Sequence, residues 1–480
     1  MALTNVNAVQ VEFDQFSDNA KVSNRINTAL HPSETNTIVG FGALDDRLLT
    51  GTVGYRNTAF GVNALRDVIG AVSAGGSNTA VGFGSLTFNV EASGNTGIGA
   101  LSLGSVSDAG AVHNTAVGYQ SQTASVSGIQ NNSLGFRTLY SLVSGNNNCA
   151  FGESALYTLN GGNGNTAYGF QALYSKPSGD HSVAVGFQAG WSETTAVGNI
   201  NIGYRAGYNN TVSGGNIAIG YDALQANAAG VNNTIIGFES AKAAQGAYNT
   251  GLGYWALRRV TTGSSNTALG QQSGAFVTTG GENVAVGANA ATGVVAASYN
   301  THVGAGTSQN LDGNNNTTLG YNAGYFASAQ TYSNITALGS NALVTGSNQV
   351  QLGDSATTTY AFGAVQNRSD ARDKSDIRDT ELGLDFIKAL RPVDFRWDYR
   401  SDYNGAAKDG SKKRTRFHHG LIAQEVKAVC DAAGVDFGGY QDHTVNGGQD
   451  VLTLGYEELI APLIKAVQQL SAEVEALKAR

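Results

Sequence analysis

Hydrophobic and polar positions repeat along most of this chain as one phrase: Asn, a β-branched residue, a small residue, a bulky apolar residue, then Gly. The phrase glycines Gly135, Gly152, Gly169, Gly186, Gly203, Gly220 and Gly237 stand 17 residues apart, and Gly253, Gly270, Gly287, Gly304 and Gly320 follow in steps of 16 or 17. A period this short predicts a solenoid with one coil per repeat. The position before the glycine is bulky (Val117, Leu134, Phe151, Tyr168, Ile202) and the one before that is small (Ala150, Ala167, Ala184, Ala218). This alternation predicts a short strand in every coil, with one bulky face and one face open to close approach.

Asparagine stands four residues before the glycine in almost every repeat, as in Asn114, Asn131, Asn148, Asn165, Asn216 and Asn233. Stacked at strand spacing, these amides are expected to form a hydrogen-bonded ladder that also holds the turn backbone. An aromatic commonly follows the glycine (Phe170, Phe187, Tyr204, Tyr221), and the period places these rings on one seam, read as packing rather than a sugar-stacking surface. Roughly 19 coils at about 4.8 Å each predict a shaft on the order of 90 Å long. A coil this narrow buries little core, so the alanine face is expected to pack against other chains, three in all. The first steps are longer (Gly40, Gly61 and Gly82 are 21 apart), which puts larger loops on the early coils.

Composition changes the picture at one point. The 64 glycines do not imply disorder, because 41% of the 480 residues are hydrophobic and recur in register. Charge is sparse in the repeat, 21 residues of 318 between 36 and 353, and dense afterwards, 35 of 112 between 369 and 480. That break marks a domain boundary. A net charge of −8 without a basic stripe argues against nucleic-acid binding, and the run Lys408, Lys412, Lys413, Arg414, Arg416 reads as a solvated loop. Cys149 and Cys430 lie in different regions, so no disulfide framework is expected. The start of the chain has no basic segment leading into an apolar run, and no apolar stretch is long enough to span a membrane. Membrane insertion is not expected.

The C-terminal region reads as a helix over 384–390, an extended segment over 393–397 and a segment at 420–426 leading into a second helix. Tyr456, Ile460, Leu463, Val467, Leu470, Val474 and Leu477 then follow a 4-3-4-3-4-3 spacing, the seam of an oligomerising coiled coil, with Pro462 at its first turn. The neighbours His418 and His419 should point to opposite faces of a strand, which argues against a shared metal. No metal or cofactor is expected.

The repeat, over 36–355, resembles the left-handed β-roll heads of trimeric bacterial adhesins and similar repeats in bacteriophage tail fibres. The ordered blocks SDARDK, LRPVDFRW, HHGLIAQEV and the terminal helix, over 369–480, resemble the endosialidase-type intramolecular chaperone that ends many phage tail fibres and tailspikes. That second resemblance implies a domain that holds three chains together while the shaft folds and then cuts itself off. It implies a Ser–Lys dyad of Ser369 and Lys374, and a cleavage site between Arg368 and Ser369. The chemistry requires a lysine whose pKa is lowered by burial or a nearby cation; Arg372 would help, and Asp370 and Asp373 would oppose. Three near-identical shafts can pair out of register at little cost, which a C-terminal trimer set first would prevent.

The expected fold is therefore mainly β: a trimeric parallel β-solenoid of ~17-residue coils, then a small α+β chaperone domain ending in a trimeric coiled coil. The expected divisions are an attachment segment 1–35, a shaft 36–355, a linker 356–368 and a chaperone 369–480 with its coil at 456–478. The expected function is a homotrimeric phage tail fibre. It would be assembled in the host cytoplasm, carried on the virion, docked on tail or baseplate proteins by its N-terminus and bound to a host-surface glycan or protein. An alternative is a polysaccharide-degrading tailspike with an intersubunit site, for which the shaft offers only Glu153, Glu193, Asp222, Glu239 and Glu282. A secreted bacterial adhesin fits less well, for want of a signal peptide and a membrane anchor.

Overall fold

The computed structural model describes residues 36–44, 55–67, 76–89, 91–106, 108, 110–362, 365, 369–403, 407–446 and 450–480. The expected attachment segment, 1–35, lies outside them. Among the described residues, nineteen three-residue strands, β1 (Thr37–Val39) through β19 (Val350–Leu352), form a parallel solenoid. Neighbouring strands pair in register at the repeat spacing, for example Ile200 beside Ile217 and Asn201 beside Ala218. Compactness divides the chain into two units, the first ending at Gln330 and the second, from Thr331, holding the last two strands and the C-terminal module.

In every strand from β2 to β18 the middle residue is buried in the coil. Ala150, Ala167, Ala184 and Ala218 are fully buried within one chain. The expectation that the alanines face neighbouring chains is therefore corrected: the strand face that carries them turns into the coil, where Asn201, Ile235 and His302 occupy the same position in other coils. The flanking bulky residues turn outward and stay half-exposed or exposed, as with Tyr168, Leu252 and Leu319. The interior is completed by leucines in the turn, including Leu139, Leu142, Leu156, Leu159 and Leu173.

The corner is made by the phrase glycine. At Gly186 φ is +134°, and a Cβ there would sit 2.4 Å from the carbonyl oxygen of Gly203 in the next coil. Both the backbone region and the close approach exclude a side chain. Beyond it the chain enters the left-handed region at ordinary residues, Arg137 (φ 52°) and Leu139 (φ 48°) among them. That conformation is unfavourable for a residue bearing a Cβ, and the burial of Leu139 offsets it.

The asparagine ladder forms as expected. The backbone N–H of Asn233 donates to Asn216 Oδ1 (2.9 Å), and its Nδ2 donates to the same oxygen (3.1 Å) and to the carbonyl of Gly246 (3.0 Å). Rings after the glycine stack coil on coil: Phe170, Phe187, Tyr204, Tyr221 and Phe238 have centroids 4.8–5.2 Å apart. A second ladder, Tyr140, Tyr157, Tyr174, Trp191 and Tyr208, runs beside it with 5.1–5.8 Å between centroids. Ring faces are spent on each other, leaving edges outward, which favours the packing reading over sugar stacking.

In the second unit, α1 (Leu384–Ala389), α2 (Ala423–Ala433) and α3 (Ile460–Lys478) accompany two hairpin-like pairs, β20 (Val393–Phe395) with β21 (His418–Gly420) and β22 (Tyr440–Asp442) with β23 (Leu452–Leu454). Phe386, Val426, Cys430 and Phe437 form its core. The expected helix at 384–390 and extended segment at 393–397 correspond to α1 and β20. Tyr456 lies in a 3-10 turn, Tyr456–Leu459, so the long helix starts at Ile460 with Pro462 in its first turn. There the missing proline N–H would have had no helical partner.

Candidate functional site

The turn that follows residue 368 is built by Asp370. Its carboxylate accepts the backbone N–H of Arg372 (2.9 Å) and caps a single 3-10 turn, Ala371–Asp373. It also receives the Arg372 guanidinium through two nitrogens (3.1 and 2.6 Å). Both contacts hold the Asp370 carboxyl below the usual carboxylate range. The turn closes with the N–H of Lys374 on the carbonyl of Ala371, which sends the lysine back toward its start. Lys374 Nζ donates to Ser369 Oγ at 2.7 Å.

Five residues apart in sequence, the two expected dyad members therefore touch. Arg368, the other side of the expected cleavage site, lies outside the described residues. Ser369, Asp370, Arg372 and Asp373 line one open depression. Ser369 and Lys374 are both exposed in a single chain. Asp370 engages the guanidinium that was expected to act on Lys374, so the cation is held by its own carboxylate.

The surrounding module is held by polar clamps as well as its core. Arg391 pairs with Glu425 of α2. The N–H of Leu384 donates to Gln469 of α3 (2.6 Å), and Tyr456 Oη accepts the N–H of Leu421 (2.9 Å). His418 stacks on Phe395, whereas His419 pairs with Asp394 (2.5 Å) on the other face, so the two rings serve different contacts. In the basic run, Lys408 faces Asp398 and Arg414 faces Asp402. His443 was not singled out in the sequence. Its Nδ1 accepts from Gln349 Nε2 (2.5 Å) and lies 2.6 Å from Thr345 Oγ1, joining the module to the turn before β19.

Residues 369–435 match the peptidase S74 family model, described as chaperone of endosialidase. The segment is a chaperone-of-endosialidase domain. The match begins at Ser369 and ends two residues after α2, short of β22, β23 and the long helix. No curated protein matches the chain.

Three of the five candidate acids of the shaft are engaged elsewhere. Glu193 is fully buried against Lys176. Lys242 bridges Asp222 (3.0 Å) and Glu239 (2.7 Å), and Arg258 adds a second contact to Glu239 (2.9 Å). The hydrogen bond from Lys242 is the main cause holding the Glu239 carboxyl below its usual range. A general acid needs the opposite shift. Among the described residues, no three His, Cys, Asp or Glu side chains are grouped to hold a metal.

Proposed function

We propose that this chain is a homotrimeric phage tail fibre whose shaft reaches a host-surface glycan or protein, and whose C-terminal domain assembles the trimer and then cleaves itself off at Arg368–Ser369. The β-solenoid and the chaperone-of-endosialidase domain fit a tail-fibre or tailspike-like protein. The observation that carries the finer reading is the Lys374–Ser369 hydrogen bond at the first residue of the matched domain. On this reading, assembly occurs in the host cytoplasm and residues 1–35 dock on virion tail or baseplate proteins.

Trimerisation is supported by two unpartnered apolar surfaces. Ile460, Leu463, Val467, Leu470, Val474 and Leu477 are all exposed along the long helix at heptad spacing. Such a stripe is stable in water only when another helix covers it. Along the shaft, the outward strand residues and the aromatic row take the role first assigned to the alanines.

On this reading autocleavage proceeds by ordinary acyl chemistry. Ser369 Oγ attacks the carbonyl carbon of Arg368. Lys374, as the neutral amine, takes the hydroxyl proton and passes it to the departing amide nitrogen of Ser369. The amide becomes an ester through a five-membered ring. Water then hydrolyses the ester, giving the Arg368 carboxylate, a new Ser369 amine and the restored hydroxyl. Neutralising the lysine requires burial, so enclosure of the exposed turn by neighbouring chains is the step that would switch the dyad on. Cleavage would then follow assembly and leave the shaft kinetically trapped.

The test is expression of the wild type beside Ser369→Ala and Lys374→Ala, each examined by denaturing gel and native mass spectrometry. The expected result is two fragments for the wild type, a full-length chain for both variants and a trimer in every case. A monomeric shaft, or cleavage that survives both substitutions, contradicts the proposal.

A further inference from the structure

Most coils of the shaft are interchangeable inside as well as outside. Seven residues after each phrase glycine, one interior side chain stacks on its counterpart in the next coil. The series runs Leu142, Leu159, Lys176, Glu193, Asn210, Asn227, Ala244, Val260, Val277, Val294, Leu311. All are buried. Skipping one apolar coil, for example seating Val260 on Val294, sacrifices that coil's contacts and little else. A solenoid of this kind has no internal reason to keep count.

Asn210 and Asn227 hydrogen-bond to each other in this column (3.0 Å), and its charges are confined to one pair with no exposure at all, Lys176 and Glu193. Lys176 Nζ donates to Glu193 Oε1 (2.5 Å), to the carbonyl of Ala196 (2.6 Å) and to Ser182 Oγ (3.2 Å), so its three donors are all placed. Ser182 Oγ also donates to the same Glu193 oxygen (2.5 Å), and Asn201 Nδ2 donates to the other (3.2 Å). Every member departs from the repeat. Ser182 stands where the asparagine ladder has Asn, and Asn201 where the strand has Ala. Gly190 and Gly207 stand where neighbouring coils have Leu173 and Leu224. Those glycines make the room: a Cβ on Gly207 would fall 1.9 Å from Asn201 Oδ1, and one on Gly190 2.9 Å from its Nδ2. Six departures from the repeat thus converge on one buried point.

We propose that this knot is the register mark of the shaft: it allows the Lys176 coil to be followed only by the Glu193 coil. If the Lys176 coil were looped out, Leu159 would seat on Glu193 and bury an unpaired carboxylate. If the Glu193 coil were looped out, Lys176 would meet Asn210. Buried ion pairs contribute little net stability over apolar residues of similar size, whereas breaking one by removing a partner is severe. The knot therefore discriminates between pairings more than it stabilises the correct one. It acts within a chain and does not depend on the chaperone reading.

The test replaces both charges with the residue found in the preceding coils, Lys176→Leu/Glu193→Leu, in the full-length chain refolded from denaturant. The native Cys149 lies beside Thr166 in the correct pairing, and Thr166 lies beside Val183. Thr166→Cys therefore reports correct register through a short thiol crosslink to Cys149. Val183→Cys reports a skipped Lys176 coil. Isotope-labelled and unlabelled chains are mixed so that peptide mapping separates crosslinks within a chain from those between chains. With the native pair, the skipped-coil crosslink should stay at background. In the double leucine variant it should rise about tenfold or more among the chains that fold, with any fall in melting temperature confined to the cost of the partners that Ser182, Asn201 and the Ala196 carbonyl lose. A double variant that refolds with the wild-type crosslink ratio overturns the proposal. So does one that fails to fold, since the pair would then be supplying stability rather than register.

Discussion

Removing a single amide from the asparagine ladder should loosen two coils and leave the rest of the shaft intact. Asn233→Ala is the cleanest case. It deletes the acceptor of the Asn249 N–H (2.8 Å) and the donor to the Gly246 carbonyl (3.0 Å), along with the amide contact to Asn216 Oδ1 (3.1 Å). All the asparagines involved are buried, so solvent cannot replace these partners. Each orphaned buried group costs about 1–3 kcal/mol, giving a total of about 3–5 kcal/mol. In a repeat protein such a loss acts on the affected coil and its neighbours. The assay is native-state hydrogen exchange at the Asn249 amide, where this loss corresponds to an acceleration of roughly two to three and a half orders of magnitude. Amides ten coils away should not change. An acceleration of less than about tenfold at Asn249 would show that the ladder is decoration rather than a structural element.

Three further outcomes follow from particular sites. His302 is fully buried, with Nδ1 against Ser308 and Thr318, and burial pushes its pKa down from 6.5 to about 3. As pH falls, the unfolded chain takes up this proton first, so stability is intact above pH 6.5 and declines down to about pH 3. The loss is about 3 kcal/mol at pH 4.5, and His302→Thr, copying Thr318, should flatten that part of a pH–denaturation profile. Gly186→Ala should prevent close stacking on Gly203 and lower folded yield or melting temperature sharply, whereas Gly198, which has open space around it, should lose far less on the same substitution. Val467→Asp with Leu470→Asp, on the exposed stripe of the long helix, should convert a trimer to monomers in sedimentation velocity.

Much of this molecule can be read along the chain because one period governs it. The 17-residue spacing places a strand before every phrase glycine, and the recurring asparagine anticipates the ladder. What period-2 alternation leaves open is which face is inside. Alanine and leucine sides are equally regular, and only the fold discloses that Ala167 turns in and Tyr168 out. The second aromatic ladder and the Lys176–Glu193 knot were legible in principle, as fixed offsets of five and seven from the glycine. They are hidden when residues are compared along the sequence instead of across coils. In the module, the Ser369–Lys374 separation and the blocks around it were visible, and the 3-10 turn capped by Asp370 explains how five residues bring them together. The contact of His443 with Thr345 and Gln349 spans more than ninety residues and follows no repeat, so only the fold discloses it.

The most direct test of the proposed maturation is the intact mass of the wild-type protein purified after folding. Cleavage at Arg368–Ser369 predicts two species, one ending at Arg368 and one beginning with a free Ser369 amine, and no full-length chain. A single full-length mass from a trimeric, folded sample would contradict self-cleavage by Ser369 and Lys374.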